Sequence, residues 1–470
     1  HRGISLLSVP GKVLAKVIAR RLYKLVADPF LSESQCGFRP NRGCVDMIFT
    51  TRQLFEKCKE QNMGLCATFI DLTKAFDSVN REGLWLLLDK LGCPSKFLNM
   101  IRQFHDGMEA SVIEQGSMSE KFSISNGVKQ GCTMAPTLFA IYFAAMLRDA
   151  FEDTDIGVYL QFRTSGQLFN LRRFQSRTKV FTVLIQELLF ADDCGLFTHT
   201  VSDMQILMNR FAESASRFGL TISVKKTQVL FMPPCGSTYV QPRITVGKDE
   251  LQAVEQFTYL GSTISVDGKI DTEIINRIAK ATASFGALTS KLWHVRGIRC
   301  CTKVAVYRAV VLSSLLYAAE TWTYYRYHIR QLERFHQSCL RKILNINWQS
   351  RTSDVEVLQR AGIPSIEAML LKTKLRWAGH LVRMDDTRLP KQIFYGQLKE
   401  GKRNPGGQIM RYKDSLRVTL QRCQIEIGCW EELCMDRASW RKLIHDSVET
   451  FEQDRQSQLF QKRHNRKNRD

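Results

Sequence analysis

Between residues 11 and 27, Val13, Leu14, Val17, Ile18, Leu22, Leu25 and Val26 recur at helical spacing, with Lys12, Lys16, Arg20, Arg21 and Lys24 opposite. The pattern predicts an amphipathic helix with one basic face. Asp28-Pro29 ends it, and Gly37, Pro40 and Gly43 punctuate a loop that also carries Ser34, Gln35, Arg39 and Arg42. A second helix is predicted over 45–60. Leu65-Cys66-Ala67-Thr68-Phe69-Ile70 then reads as a buried strand ending on an acid, Asp71, and a helix over 76–91 is closed by Gly92 and Pro94.

Residues 112–124 predict a hairpin turning at Gln115-Gly116-Ser117, and 127–136 a glycine-bearing loop that opens a strongly apolar helix through Met146. The stretch 150–187 is less regular and holds a basic cluster, Arg172, Arg173, Arg177 and Lys179. In 187–197, two short apolar runs surround Asp192-Asp193, the pattern of a hairpin with acids at its turn. A helix over 202–218 precedes strand-like runs at 220–232 and 257–264. From 271 onward the pattern is mostly helical, with Ile329, Leu332, Phe335, Cys339, Leu340, Ile343 and Leu344 on one face and a further helix over 368–384. Lys462 to Arg469 reads as a disordered basic tail.

Composition narrows the class. The 470 residues suggest roughly three domains, and 44% apolar with 24% charged residues is ordinary for a globular chain. Lysine and arginine number 67 against 46 acids, a formal charge of +21 that makes a polyanion the first partner to consider. Charge interrupts every apolar stretch well before the roughly 18 residues of a membrane span. The 14 cysteines are scattered, apart from Cys300-Cys301, and Cys66, Cys132, Cys194 and Cys339 fall inside apolar patterns. A reducing compartment and no disulfide framework are expected. The start at His1-Arg2, with neither an initiator Met nor a signal peptide, reads as a fragment of a longer chain.

The chemistry lies in acids at the ends of apolar strands. Bringing Asp71, Asp192 and Asp193 together in a half-buried site is costly unless a cation neutralises them. Two Mg²⁺ ions about 3.5–4 Å apart on such acids are the arrangement that drives in-line nucleotidyl transfer. An Asp-Asp pair alone is more often a solvated turn or a helix cap. Here both acid sites close hydrophobic strands, which shifts the reading towards a site.

Phe69-Ile70-Asp71-Leu72-Thr73-Lys74-Ala75-Phe76-Asp77, then Gly127-Val128-Lys129-Gln130-Gly131-Cys132 with Pro136, then Phe190-Ala191-Asp192-Asp193 resemble the successive A, B and C motifs of a reverse transcriptase. The similarity is to polymerases of LINE-type, non-LTR retrotransposons. Arg2 to Leu7 and Gln35-Cys36-Gly37-Phe38-Arg39 resemble that family's fingers, 219–227 and 257–261 its D and E motifs, and Trp377 to Met384 a downstream segment. The resemblance implies an α+β right-hand polymerase: fingers and palm over 1–265, a helical thumb over 266–350, and a small helical C-terminal region with a basic tail over 351–470. The upstream endonuclease of the family is expected to be missing from this fragment.

The same resemblance implies roles. Asp71 and Asp192 would bind two Mg²⁺ ions, with Asp193 assisting and the backbone carbonyl of Leu72 adding an oxygen; Mn²⁺ suits the same ligands. Phe76 would lie under the sugar of the incoming nucleotide and exclude a 2′-hydroxyl, whereas the residues alone make it a core position. Gln130 and Gly131 would line the nucleotide pocket, and Arg2 would grip the triphosphate. Lys226 would be a proton donor to departing pyrophosphate, a role that Lys225 fits as well. Phe257, Tyr259, Leu260 and Gly261 would form the primer grip, although read alone they are a strand and a turn. Phe190 stands where the family usually has tyrosine, which removes a hydroxyl but no metal ligand.

The implied partners are an RNA template, a DNA primer and deoxynucleoside triphosphates, with no membrane and no signal for oligomeric state. The implied location is the nucleus, with a cytoplasmic ribonucleoprotein stage. Lysines and arginines of the first helix, the 172–179 cluster and the later helices would line a nucleic-acid groove. Cys423, Cys429 and Cys434 lack the paired spacing of a zinc finger, so Trp377, His380, Trp430, Trp440 and His445 read as helical packing. Two other readings compete: a catalytically silent nucleic-acid-binding remnant, and an RNA-making polymerase of the same palm type, against which the bulky Phe76 argues.

Overall fold

The computed structural model describes residues 7–176, 178–403 and 411–467. Helix α1 (Val9–Leu22) continues as a π-helical turn to Ala27, and α2 (Cys44–Glu60) leads into strand β1 (Leu65–Ile70). Then come α3 (Arg81–Lys90), α4 (Ala135–Phe151), β2 (Val158–Phe162), β3 (Phe181–Ile185), β4 (Glu187–Phe190), β5 (Asp193–Thr198), α5 (Val201–Arg217), β6 (Gln228–Met232) and β7 (Gln252–Ala253). The central five-stranded sheet has the order β7-β6-β1-β5-β4, antiparallel except where β7 meets β6.

β1 is buried along its whole length because it sits between two cores. Side chains alternate across a strand. Cys66 and Ile70 therefore enter a core shared with Phe139 and Phe143 of α4 and Phe211 of α5, while Leu65, Ala67 and Phe69 enter a second core with Phe49 and Phe55 of α2. The neighbours obey the same parity: Cys194 and Leu196 of β5 face the first core and Phe197 the second. A strand covered on both faces has no polar face, which is why 65–70 reads as an unbroken apolar run. Cys66, Cys132, Cys194 and Cys339 are all buried, as their apolar surroundings predict.

Past the sheet, β8 (Gln256–Tyr259) and β9 (Ser262–Ser265) form a hairpin that leads to the helices α6 (Asp271–Ala287) and α7 (Arg326–Ile343). These two helices share a third core, built around Tyr307, Leu315, Trp322 and Leu332. The chain then returns through α8 (Ile366–Arg383), α9 (Leu389–Tyr395), β10 (Gln397–Leu398), α10 (Tyr412–Arg422) and α11 (Arg437–Lys467). This last segment builds no core of its own. Trp377, Phe394, Tyr412, Trp430 and Trp440 belong to the second core, under α2, and Phe49 meets the rings of Trp377 at 5.6 Å and Tyr412 at 5.1 Å. β10 adds to the edge of β2, and the buried Lys57 ammonium donates to the Gly396 carbonyl at 2.9 Å.

Several expectations need correcting. Phe76 and Asp77 end a turn that starts at Thr73, and α3 begins only at Arg81, because the Asn80 side chain accepts from Gly83 N at 2.9 Å and caps the helix there. The 220–232 run is a strand only from Gln228; before it, Lys226 N and Thr227 N turn back to the Ser223 carbonyl. On α1, Ala15, Ile18 and Leu22 are buried but Val13, Leu14 and Val17 are exposed. Arg173 does not face a groove: it is buried, donates to the Tyr395 carbonyl, and burial lowers its pKa to about 10. Arg177 lies outside the described residues. The basic tail is helical through Lys467, continuing α11, and Arg463 donates to the Arg351 carbonyl at 2.8 Å.

Lys374 of α8 is fully buried, 4.0 Å from the Tyr324 ring centroid and hydrogen bonded to Ser415, and burial lowers its pKa from 10.5 to about 7. Between those values the unfolded chain holds a proton that the folded chain lacks, so this group makes stability rise with pH across that window. Lys374→Met is expected to remove that part of the slope, measured by chemical denaturation at pH values from 7 to 10.

Candidate active site

β1 and β5 pair with Ile70 opposite Cys194, and β4 and β5 close on Phe190 opposite Asp193. Continued by one residue, this register brings Asp71, the residue after β1, opposite Asp193, which follows the two-residue turn Ala191-Asp192. The Asp71 amide donates to Thr227 Oγ1 at 3.3 Å, and its carbonyl accepts from Ser223 N at 2.8 Å. The Asp71 carboxylate pairs with Lys226 Nζ at 3.2 Å. Thr73 N donates to the Thr221 carbonyl, so Leu72 is a non-hydrogen-bonded partner of Ile222 and its own carbonyl faces away from that segment.

Asp192 lines a cleft of about 330 Å³ together with Leu72, Phe76, Gln130 and Lys226. Five predicted site residues thus meet in one place, and Asp71 joins them through its ion pair with Lys226. Of the two adjacent lysines, Lys226 lines the cleft and Lys225 does not. Phe76 is packed and borders the cleft at once: its ring stacks on Phe139 at 4.6 Å while the residue is part of the cleft wall. The loop carrying Gln130 is docked on the turn carrying Phe76, with Val128 N donating to the Phe76 carbonyl at 2.8 Å and Gly127 N to the Val79 carbonyl at 2.9 Å. A Cβ on Gly127 would stand 2.7 Å from the Asp77 backbone, so this approach requires glycine. Gly131 follows with φ +105° and is exposed beside the cleft residues.

Asp193 is exposed, and its charge raises the pKa of Cys44, Cys194 and Tyr259, in each case behind burial as the larger cause. None of those three groups lines the cleft. The hairpin expected to be the primer grip packs directly behind β1. Phe257 stacks on Phe69 at 4.2 Å, and Tyr259 is buried, its hydroxyl donating to the Leu188 carbonyl at 3.3 Å. Leu260 and Gly261 form the turn, with φ +48° and +80°. The Leu260 carbonyl accepts from Tyr317 at 2.9 Å, and the Gly261 carbonyl accepts from Arg277. Arg277 forms a buried ion pair with Glu273 at 2.9 Å, so the first helix after the sheet holds this turn. Arg2 lies outside the described residues.

Among the described residues no three His, Cys, Asp or Glu side chains are arranged to hold a metal ion. Two carboxylates and a backbone carbonyl remain, and that donor set fits Mg²⁺, which is commonly bound through one or two carboxylates, water and substrate phosphates. Lys226 sets a positive charge 3.2 Å from the Asp71 carboxylate.

Sequence reasoning missed what holds the turn. Ala191 has φ +60°, a strained value for a residue with a side chain. Buried Gln35 secures it: Oε1 accepts from Ala191 N at 3.0 Å and from Gly37 N at 2.8 Å, and Nε2 donates to the Ala191 carbonyl at 3.3 Å. Cys36 N and Leu189 N complete the join, donating to the Leu189 and Ser34 carbonyls, each at 2.9 Å. A Cβ on Gly37 would lie 2.1 Å from Ala191 N. The available signal was a glutamine two residues before a glycine, which a loop pattern does not separate from solvent-facing residues.

A sheet that joins two strand-end aspartates to a glycine loop and a bulky ring is the palm of a nucleic-acid polymerase. The chain belongs to the reverse transcriptase (RNA-dependent DNA polymerase) family, whose pattern it matches over residues 1–264. Curated relatives include the Pol polyprotein of the type-2 retrotransposable element R2DM of Drosophila melanogaster, 26% identical over 57% of this chain and 24% of that protein. The RNA-directed DNA polymerase of the mobile element jockey of Drosophila funebris is 25% identical over 76% of this chain and 37% of that protein. A transposon-derived protein of Caenorhabditis elegans is 26% identical over 55% of this chain and 95% of its own length. The chain thus spans only 24% and 37% of the length of these two long relatives. Among solved structures, telomerase from Candida tropicalis with a fragment of telomeric RNA matches 82% of this chain and 56% of that chain at 12% identity, with a TM-score of 0.40.

Gln35→Leu keeps the bulk and strips both polar contacts from Ala191. It is expected to cost about 1–3 kcal/mol in denaturant unfolding and to slow primer extension. Extension at the wild-type rate with an unchanged unfolding midpoint would remove Gln35 from this role.

Proposed function

We propose that this chain extends a DNA primer on an RNA template, using deoxynucleoside triphosphates, and that Asp71 and Asp192 carry the reaction. The observation behind this reading is the cleft itself. Asp192, Leu72, Phe76, Gln130 and Lys226, drawn from four separate stretches of sequence, border one space, and Asp71 is tied to it at 3.2 Å. Asp71, Asp192 and the Leu72 carbonyl would hold the divalent cations, Mg²⁺ or Mn²⁺, with Asp193 at the rim. When bound, such ions lower the pKa of the attacking hydroxyl and offset charge on the leaving group.

The protein's own groups do the rest. Lys226 balances the Asp71 carboxylate, and with its side chain 66% exposed its ammonium can meet the charge of departing pyrophosphate and supply a proton. Phe76, braced by Phe139, presents a rigid edge that leaves no room for a 2′-hydroxyl. Gln130 stands on a loop fixed to the Phe76 turn, so nucleotide selection and the carboxylate site move as one unit. The Leu260-Gly261 turn, held by Tyr317 and Arg277, offers backbone to the primer strand, whereas Phe257 and Tyr259 are its packing. The excess of basic residues supplies salt-dependent, sequence-independent affinity for nucleic acid. Asp192 in the cleft wall, with Asp71 tied to that wall through Lys226, weighs against the silent-remnant reading. Work on chromosomal targets would place the chain in the nucleus.

Asp192→Asn is expected to reduce extension of a primed RNA to background while the affinity for that RNA stays within about twofold; extension at the wild-type rate would remove the carboxylate assignment. Phe76→Leu is expected to raise ribonucleotide incorporation at least tenfold relative to deoxynucleotides, measured by competition on the same primed RNA.

A further inference from the structure

A second cavity, of about 650 Å³, opens between the loop preceding α2 and the helices α8 and α11, and it shares no residue with the aspartate cleft. Its wall carries Arg42, Arg376, Arg383, Arg437, Arg441 and His380. The acids there do little to balance them. Asp46 already accepts from Arg388 at 3.1 Å and from Gly43 N at 2.8 Å, and burial holds the Glu320 carboxyl above its ordinary pKa. Arg42 is paired with Glu33 at 2.6 Å, and Arg383 donates to the Cys434 carbonyl. Among the described residues Arg437 and Arg441 form no ion pair with a carboxylate, and Arg376 acts on Glu320 only as a nearby charge, too weakly to offset the effect of burial on that carboxyl.

Two further observations point to an anion. Arg437 and Arg441 occupy the opening turns of α11, a helix of 31 residues, where the aligned peptide dipoles are already positive and a cation is unfavourable. Behind burial, these two guanidinium groups also weaken the hold of Arg383 on its proton, which places three like charges close together. Such a cluster at a helix N-terminus is relieved by an anion. All five cations are arginines, whose planar forks match phosphate oxygens in pairs, and they spread along two helices and a loop rather than around one point.

We propose that this cavity seats successive phosphates of a nucleic-acid strand, so that the C-terminal helices hold RNA at a place apart from the aspartate cleft. The proposal rests on the polymerase reading only for the identity of the polyanion.

The test measures binding of a labelled RNA strand to the full chain across a NaCl series, with no nucleotide present. Arg437→Glu with Arg441→Glu, both exposed positions, is expected to weaken binding at least tenfold and to reduce the slope of log Kd against log salt by about two; Arg376→Glu, on the other helix, reduces it by about one. Lys90→Glu with Lys96→Glu, also exposed, makes the same change in net charge and is expected to leave the slope in place. An unchanged slope in the arginine variants, or an equal loss in the lysine control, overturns the proposal. A shift in melting temperature with inorganic phosphate that the arginine variants lose, without any change in RNA slope, also overturns it, because the seat then takes free phosphate. Since no extension is measured, a chain unable to extend a primer can still pass, and an active polymerase can still fail.

Discussion

The pairing of β1 with β5 is the constraint on which everything else depends. Two segments more than a hundred residues apart lie side by side with Ile70 opposite Cys194, and this register carries both strand ends, with their acids, to one edge of the sheet. Slipping a strand by one residue turns every side chain to the opposite face. Here that would drive Phe69 out of its stack on Phe257 and move Cys66 and Ile70 into the wrong core. Apolar packing on both faces therefore sets the register, and the register sets the carboxylate geometry. The chemistry inherits its precision from hydrophobic burial.

Closeness of like charges must be compensated locally, and the structure does this with fixed backbone and one exposed cation, Lys226. Asp71 is anchored by its amide and carbonyl, leaving the carboxylate to Lys226. Ala191 is held at positive φ by the amide of Gln35, so the loop before α2 acts as a brace for the turn bearing Asp192. Both devices use buried hydrogen bonds whose loss leaves unpaired polar atoms, the kind of defect that is most costly in a protein interior.

The C-terminal helices are part of the same body. Phe49 of α2 is enclosed by Trp377, Phe394 and Tyr412, and Arg388 reaches back to Asp46 near the brace. The third core, from Ile270 to Leu370, stands beside them and holds the Leu260-Gly261 turn through Glu273 and Arg277. A cut near residue 350 would thus expose the underside of α2, although the composition of the chain changes little there.

Much was legible beforehand, for identifiable reasons. The helices over 44–60, 201–217 and 366–383 and the hairpin at 187–198 were readable because one face, or both, of each element is buried and periodicity reports burial. Periodicity misled on α1, where Val13, Leu14 and Val17 are apolar yet exposed, and at Arg173, a charged residue that is buried. The sequence by itself determined most of the elements, the polymerase family and the acids at the strand ends, because each is written in local order. Only the tertiary structure decided that Lys226 rather than Lys225 meets Asp71, that Tyr259 is core, that Gln35 braces Ala191, and that arginines from α8 and α11 share one cavity. Those are contacts between distant segments, and the pattern of one segment holds no information about the atoms another brings to it.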